Sequence, residues 1–153
     1  MIQFNGRGAA LAAAALLFAT GAASAQQEPT PAPSAPAAAP VSWAAFSGWK
    51  RYHGNCATCH GPDGLGGTFA PSLVNSLKTL DHDQFLNTVV NGKKDSNLTM
   101  PAFGLDPNVM CYIEDIYTYL KARSDGTMDR GRPAVTPTKP KDVAEAEASC
   151  MGV

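Results

Sequence analysis

Cys56-Ala57-Thr58-Cys59-His60 places two thiols three positions apart and an imidazole directly after the second. That spacing reads as c-type haem attachment, in which the thiols bond to the porphyrin vinyl groups and the adjacent histidine reaches the iron. The competing readings are a Cys-x-x-Cys redox pair and half of a zinc site. Zinc wants a second pair of ligands at similar spacing, and the remaining cysteines, Cys111 and Cys150, lie far apart with no neighbouring ligand. A thioredoxin-like redox pair expects strands alternating with helices, and strand-like alternating runs are missing here.

With His60 as one axial ligand, the other is sought among Met100, Met110, Met128, Met151, His53 and His82. Met100 sits in Leu98-Thr99-Met100-Pro101-Ala102-Phe103-Gly104, between two helical segments, where a loop carries sulfur to the iron and Pro101 stiffens the backbone. Met110 falls within the next helical pattern, Met128 and Met151 in the tail, and His53 is too near the attachment segment to cross to the far face. Met100 is the expected ligand and His82 the principal alternative. Thioether ligation raises the reduction potential and fills the position that oxygen or peroxide chemistry would need. It argues for electron transfer over substrate conversion. A histidine ligand also needs its second ring nitrogen hydrogen-bonded. The backbone carbonyl of Pro71 is the candidate partner, because Gly61 to Leu73 is rich in turn residues and loops back beside His60. Phosphate binding by this glycine-rich loop is the weaker reading, since no Lys-Ser or Lys-Thr follows it.

Upstream, Ser42 caps a helix in which Gly48, Tyr52 and Cys56 recur every four residues, and Gly48 lets another helix approach closely. Downstream, Asp81 and Gln84 form a capping-box pattern and Gly92 a stop, predicting a helix over His82 to Asn91. A third helix is predicted from Asp106 and Pro107, with Val109, Ile113, Ile116, Tyr117 and Leu120 on one face, packing across the first. Lys93 and Lys94, beside the Met100 loop, are candidates to face an acidic partner.

The chain ends read differently. Arg7, the short apolar stretch Ala9 to Thr20 and Ala23-Ser24-Ala25 predict a secretory signal over residues 1–25, cut before Gln26. Its apolar stretch is too short for a membrane-spanning helix, which needs roughly 20 residues. Residues 26–41 are a proline- and alanine-rich linker. Residues 124–153 form a tail whose Asp142 to Ser149 has helix-forming composition. Export places the protein in an oxidising compartment, the periplasm, so Cys111 and Cys150 are expected to pair and tie the tail down, the alternative being two free thiols.

The whole chain of 153 residues has room for one small domain. Lys plus Arg number 12 against 13 for Asp plus Glu, a net charge of −1, so there is no basic excess to grip nucleic acid. With 14 glycines and 12 prolines, long stretches are irregular, and the ordered domain contracts to residues 42–123. A core of that size often needs a prosthetic or covalent aid.

Gly48, Tyr52, Cys56, Cys59, His60, Pro71, Leu73, Met100, Pro101, Tyr119 and Leu120 fall in the order used by class I, mitochondrial-like cytochromes c, which residues 42–123 resemble. The resemblance implies an all-α fold around one covalently bound haem c. Cys56 and Cys59 then anchor the porphyrin, His60 and Met100 ligate the iron and Pro71 orients His60. The extra Cys111 and Cys150, the phrase Tyr52-His53-Gly54-Asn55 and the long tail further resemble the four-cysteine, methanol-metabolism-related c-type cytochromes. That narrower resemblance implies a periplasmic electron carrier rather than an enzyme. Its donor would be a PQQ-dependent methanol or alcohol dehydrogenase, lanthanide-dependent in several cases, and its acceptor a downstream cytochrome or oxidase. A monomer is expected, with no nucleic-acid partner and no membrane span in the mature form. Two alternatives stand beside it: a haem peroxidase or diatomic-gas binder with an open sixth position, and a haem docking module of an oxidase complex.

Overall fold

Ser42 opens the first helix, its hydroxyl accepting a hydrogen bond from the Ala45 N–H at 3.1 Å, and α1 runs from Trp43 to Asn55. The computed structural model describes residues 40–152 apart from Ser96 and Val135, so the expected signal and most of the linker lie outside the described residues. Helix α6, Ile113–Ser124, lies across α1 at Gly48. A Cβ there would overlap the Asp115 carbonyl and lie 2.8 Å from the Tyr119 Cβ, so only glycine permits the approach. Beside this contact the fully buried rings of Tyr52 and Tyr119 pack with centroids 5.5 Å apart. Leu77, Phe85, Val89, Ile116 and Leu120 continue the same core.

Helix α4, His82–Asn91, has the expected limits. Asp81 Oδ1 accepts from the Gln84 N–H at 2.8 Å while the Gln84 side chain accepts from the Asp81 N–H at 3.1 Å. Gly92, at φ 72°, ends the helix. Between α1 and α4 lie two single-turn helices, α2 (Ala57–His60) and α3 (Leu73–Ser76), with a 3₁₀ turn at Pro62–Gly64 between them.

The third expected helix is two. Helix α5 spans Pro107–Met110, and Cys111 and Tyr112 break the path before α6 begins. The Tyr112 N–H bonds back to the Val109 carbonyl at 3.1 Å in a tightened turn, and the Tyr112 ring lies 3.5 Å from the Arg51 guanidinium carbon. Sequence periodicity passes over this break because Val109 and Ile113 are both buried on either side of it. A two-stranded antiparallel ribbon also emerges, β1 (Lys93–Lys94) against β2 (Thr99–Met100). Two residues per strand are too few to show an alternating pattern.

The tail is structured. Helix α7, Lys141–Met151, is held to the domain by the Cys111–Cys150 disulfide, with Cα atoms 5.7 Å apart. Glu147 accepts from Trp43 Nε1 at 3.4 Å and from Lys139 Nζ at 2.6 Å. Burial raises the Glu147 carboxyl, but Lys139 and Trp43 outweigh it and hold the group below its ordinary value. The disulfide closes a separation of 39 residues, for which chain entropy gives about 4 kcal/mol. Cys150→Ser is therefore expected to lower unfolding stability by roughly that amount. A denaturation midpoint unchanged under oxidising conditions would refute it.

Candidate functional site

His60 ends α2 with 7% exposure, and its Nδ1 lies 3.0 Å from the Pro71 carbonyl. A carbonyl only accepts, so Nδ1 carries the proton and Nε2 presents a lone pair; nothing among the described residues engages Nε2. The loop that brings Pro71 back is closed on His60 itself. The Gly66 N–H donates to the His60 carbonyl at 2.8 Å, and the Tyr52 hydroxyl donates to the Gly61 carbonyl at 2.5 Å. Gly66 has φ 85°, and a Cβ there would stand 2.6 Å from the Ser72 nitrogen. A side chain at this position would push Pro71 off the imidazole.

Cys56, at the N-cap of α2, and Cys59, next to His60 within it, are not joined to each other. Burial, with a further push from Cys59, raises the Cys56 thiol to about 11. Redox-active Cys-x-x-Cys pairs depend on a depressed thiol pKa. Cys56 has the opposite character. Among the described residues no group of three or more His, Cys, Asp or Glu could hold a metal ion, so the zinc reading has no ligand set there.

Met100 is half-buried in β2, paired across the ribbon with Lys93. Its segment is stitched to the end of α4: the Phe103 N–H donates to the Val89 carbonyl at 2.9 Å and the Gly104 N–H to Val90 at 3.1 Å. Gly92 is what lets them close, since a Cβ there would stand 2.6 Å from the Met100 carbonyl oxygen. The rival histidines are engaged elsewhere. His82 Nε2 lies 2.9 Å from Glu114 and its ring stands edge-on to Tyr117; the Glu114 hydrogen bond raises its pKa. His53 Nδ1 donates to the Trp49 carbonyl at 2.8 Å. Met128 is buried in the core and Met110 and Met151 lie in helices.

These residues fit a covalently held haem. They offer two unpaired thiols, an imidazole locked at one nitrogen, and a thioether on a ribbon that glycine lets close. Phe69, two positions before Pro71, and Leu98, two before Met100, stand 68% and 44% exposed, as apolar walls for a hydrophobic ring system would.

Sequence reasoning passed over Asp63. It is 5% exposed at φ 59°, the one non-glycine residue with positive φ among the described residues. Its Oδ1 accepts from the Tyr119 hydroxyl at 3.3 Å and the Gly131 N–H at 3.0 Å, and Arg130 Nε lies 3.5 Å from Oδ2. Pro62-Asp63-Gly64 signals a turn. Nothing local signals partners 56 and 68 positions away.

An all-α domain closed over a Cys-x-x-Cys-His helix defines a c-type cytochrome, and the chain belongs to that family. A family profile described as "Cytochrome C oxidase, cbb3-type, subunit III" matches residues 44–120. Cytochrome c-553I of Paracoccus denitrificans is 49% identical over 115 residues, which are 72% of this chain and 51% of that protein. The chain thus spans about half the length of that relative. Cytochrome c-555 of Methylococcus capsulatus (strain ATCC 33009 / NCIMB 11132 / Bath) is 45% identical over 100 residues, covering 64% of this chain and 78% of that one. The crystal structure of c-type cytochrome XoxG from Methylobacterium extorquens AM1 superposes with a TM-score of 0.68 at 46% identity, over 71% of this chain and 67% of that one. The fold is accordingly that of class I cytochromes c, and the cofactor is covalently bound haem c with its iron.

Proposed function

We propose that the protein is a periplasmic monohaem electron carrier that takes electrons from a PQQ-dependent methanol or alcohol dehydrogenase and passes them to a downstream cytochrome or oxidase. The observation that carries the carrier reading is the pairing of an imidazole locked by Pro71 with a thioether on a ribbon anchored to α4. In this reading Cys56 and Cys59 would hold the porphyrin, and His60 and Met100 would ligate its iron. Bound haem c supplies a one-electron ferrous and ferric couple. The chain supplies geometry. Pro71 fixes the imidazole plane, Gly66 and Gly92 allow two loops to close, and Met100 holds the position that an oxidant would need. The four-cysteine pattern, its Cys111–Cys150 bridge and the likeness to XoxG support the choice of donor. Residues 1–25 serve as the export signal, 26–41 as linker, 42–123 as the haem domain and 124–153 as a stapled tail.

Stopped-flow mixing of the ferric protein with reduced methanol dehydrogenase and reduced ethanol dehydrogenase tests the donor. Fast, saturable reduction by one of them is expected. Equally slow reduction by both would overturn the alcohol-oxidation assignment.

Both Lys93 and Lys94 are exposed on β1, and Lys93 is the direct cross-strand partner of Met100. An acidic patch on the donor would be steered to this edge. Lys93→Glu with Lys94→Glu is expected to slow reduction several-fold at low ionic strength, with the difference shrinking as salt rises. A rate unaffected at low salt would remove the docking role.

A further inference from the structure

We infer that Asp63 is a buried charge that depresses the reduction potential of the haem, and that the C-terminal arm sets the size of this effect. The inference rests on the haem reading above and concerns a residue that reading does not use. Asp63 belongs to the loop whose two ends hold the axial imidazole, His60 at one and Pro71 at the other. Three residues of chain reach at most about 10 Å, so the carboxylate is tethered near the proposed iron ligand. The tether is taut, because the Gly66 N–H returns to the His60 carbonyl at 2.8 Å and Ser72 Oγ donates to the Gly64 carbonyl at 3.2 Å.

The groups that surround the carboxylate come from outside the loop. From α1, His53 Nε2 lies 3.7 Å away; from α6, the Tyr119 hydroxyl donates to it and Arg123 is near enough to act on it electrostatically. From the arm, Gly131 donates its N–H and Arg130 brings its guanidinium. Burial alone would raise the Asp63 carboxyl, but Gly131, Tyr119, Arg123 and His53 outweigh it and hold the group below the usual carboxylate value. The charge is therefore kept rather than neutralised. A fixed negative charge in a low-dielectric setting stabilises the ferric state over the ferrous one.

The arm is itself anchored on both sides of this contact. Arg123 donates to the Met128 carbonyl before it, and α7 is fixed beyond it through Cys150 and Glu147. Arg130 and Gly131 are thus held against Asp63, where they offset part of its charge.

The test is spectroelectrochemical titration of the full haem-loaded chain. Asp63→Asn keeps the shape and an acceptor for the Gly131 N–H while deleting the charge. A positive shift in potential is expected, with the visible spectrum unchanged and the shift equal at low and high salt, since a buried charge is little screened. An unshifted potential would overturn the inference. Should Asp63→Asn fail to fold, Arg130→Gln decides, because Arg130 has a 66% exposed side chain and tolerates change. There a negative shift that shrinks with salt supports the inference, and no shift overturns it. A purely structural role for Asp63 predicts lower thermal stability without a salt-independent positive shift. Colourless protein would instead sink the haem reading itself, and the two failures are told apart by eye.

Discussion

Met100→Ala is expected to abolish the far-red sulfur-to-iron charge-transfer band of the ferric protein and to lower its reduction potential, while the haem stays covalently attached. The potential should move through a substantial part of the roughly 0.8 V that axial ligands span. Met128 is buried in the core and Met110 and Met151 lie in helices, and the two histidines that could step in are already committed. His82 would have to abandon Glu114 and Tyr117, and His53 would have to abandon the Trp49 carbonyl. The variant should therefore bind exogenous imidazole or cyanide at the freed position far more readily than the parent. Survival of the far-red band would show that Met100 is not the ligand and would reopen the choice among the remaining methionines. Strong ligand binding by the unmodified protein would favour the gas-binding or peroxidase alternative.

Gly48→Val is expected to prevent folding at 37 °C, with loss of helical circular dichroism and of coloured product on expression. The atom in the way is the Asp115 carbonyl, part of the α6 backbone, which cannot rotate aside as a long side chain would. Overpacking usually costs about 1–3 kcal/mol. Here α1 and α6 must separate, taking with them the Tyr52–Tyr119 contact at 5.5 Å and the burial of both rings in the core. Against a total stability of about 5–15 kcal/mol, the domain has little to spare. A cooperative melt within a few degrees of the parent would refute the argument.

Where a local chemical cue decided the structure, the sequence was readable. Ser42 gave the start of α1, and the reciprocal Asp81 and Gln84 pair with Gly92 gave the limits of α4, because caps satisfy orphan backbone groups within one turn. The Cys56 to His60 pattern was legible because covalent haem chemistry asks for residues adjacent in sequence, and it falls at the short helix α2. The break at Cys111 and Tyr112 escaped notice because the apolar stripe continues across it, and the ribbon because each strand has two residues. In the tail, helix-forming composition pointed to α7, yet the sequence could not show that Glu147 meets Trp43, 104 positions away. Asp63 was missed for the same reason. Its turn is encoded locally, and its hydrogen-bond partners are supplied by α6 and the C-terminal arm, 56 and 68 positions away.

The crossing of α1 with α6 also fixes an order of events during synthesis. The cysteines proposed to bond the porphyrin lie at 56 and 59, whereas the helix that seals α1 begins at Ile113. A growing chain therefore completes the Cys-x-x-Cys-His segment well before the helix that packs on α1 at Gly48 has been made, so the domain can close only once that late segment has followed.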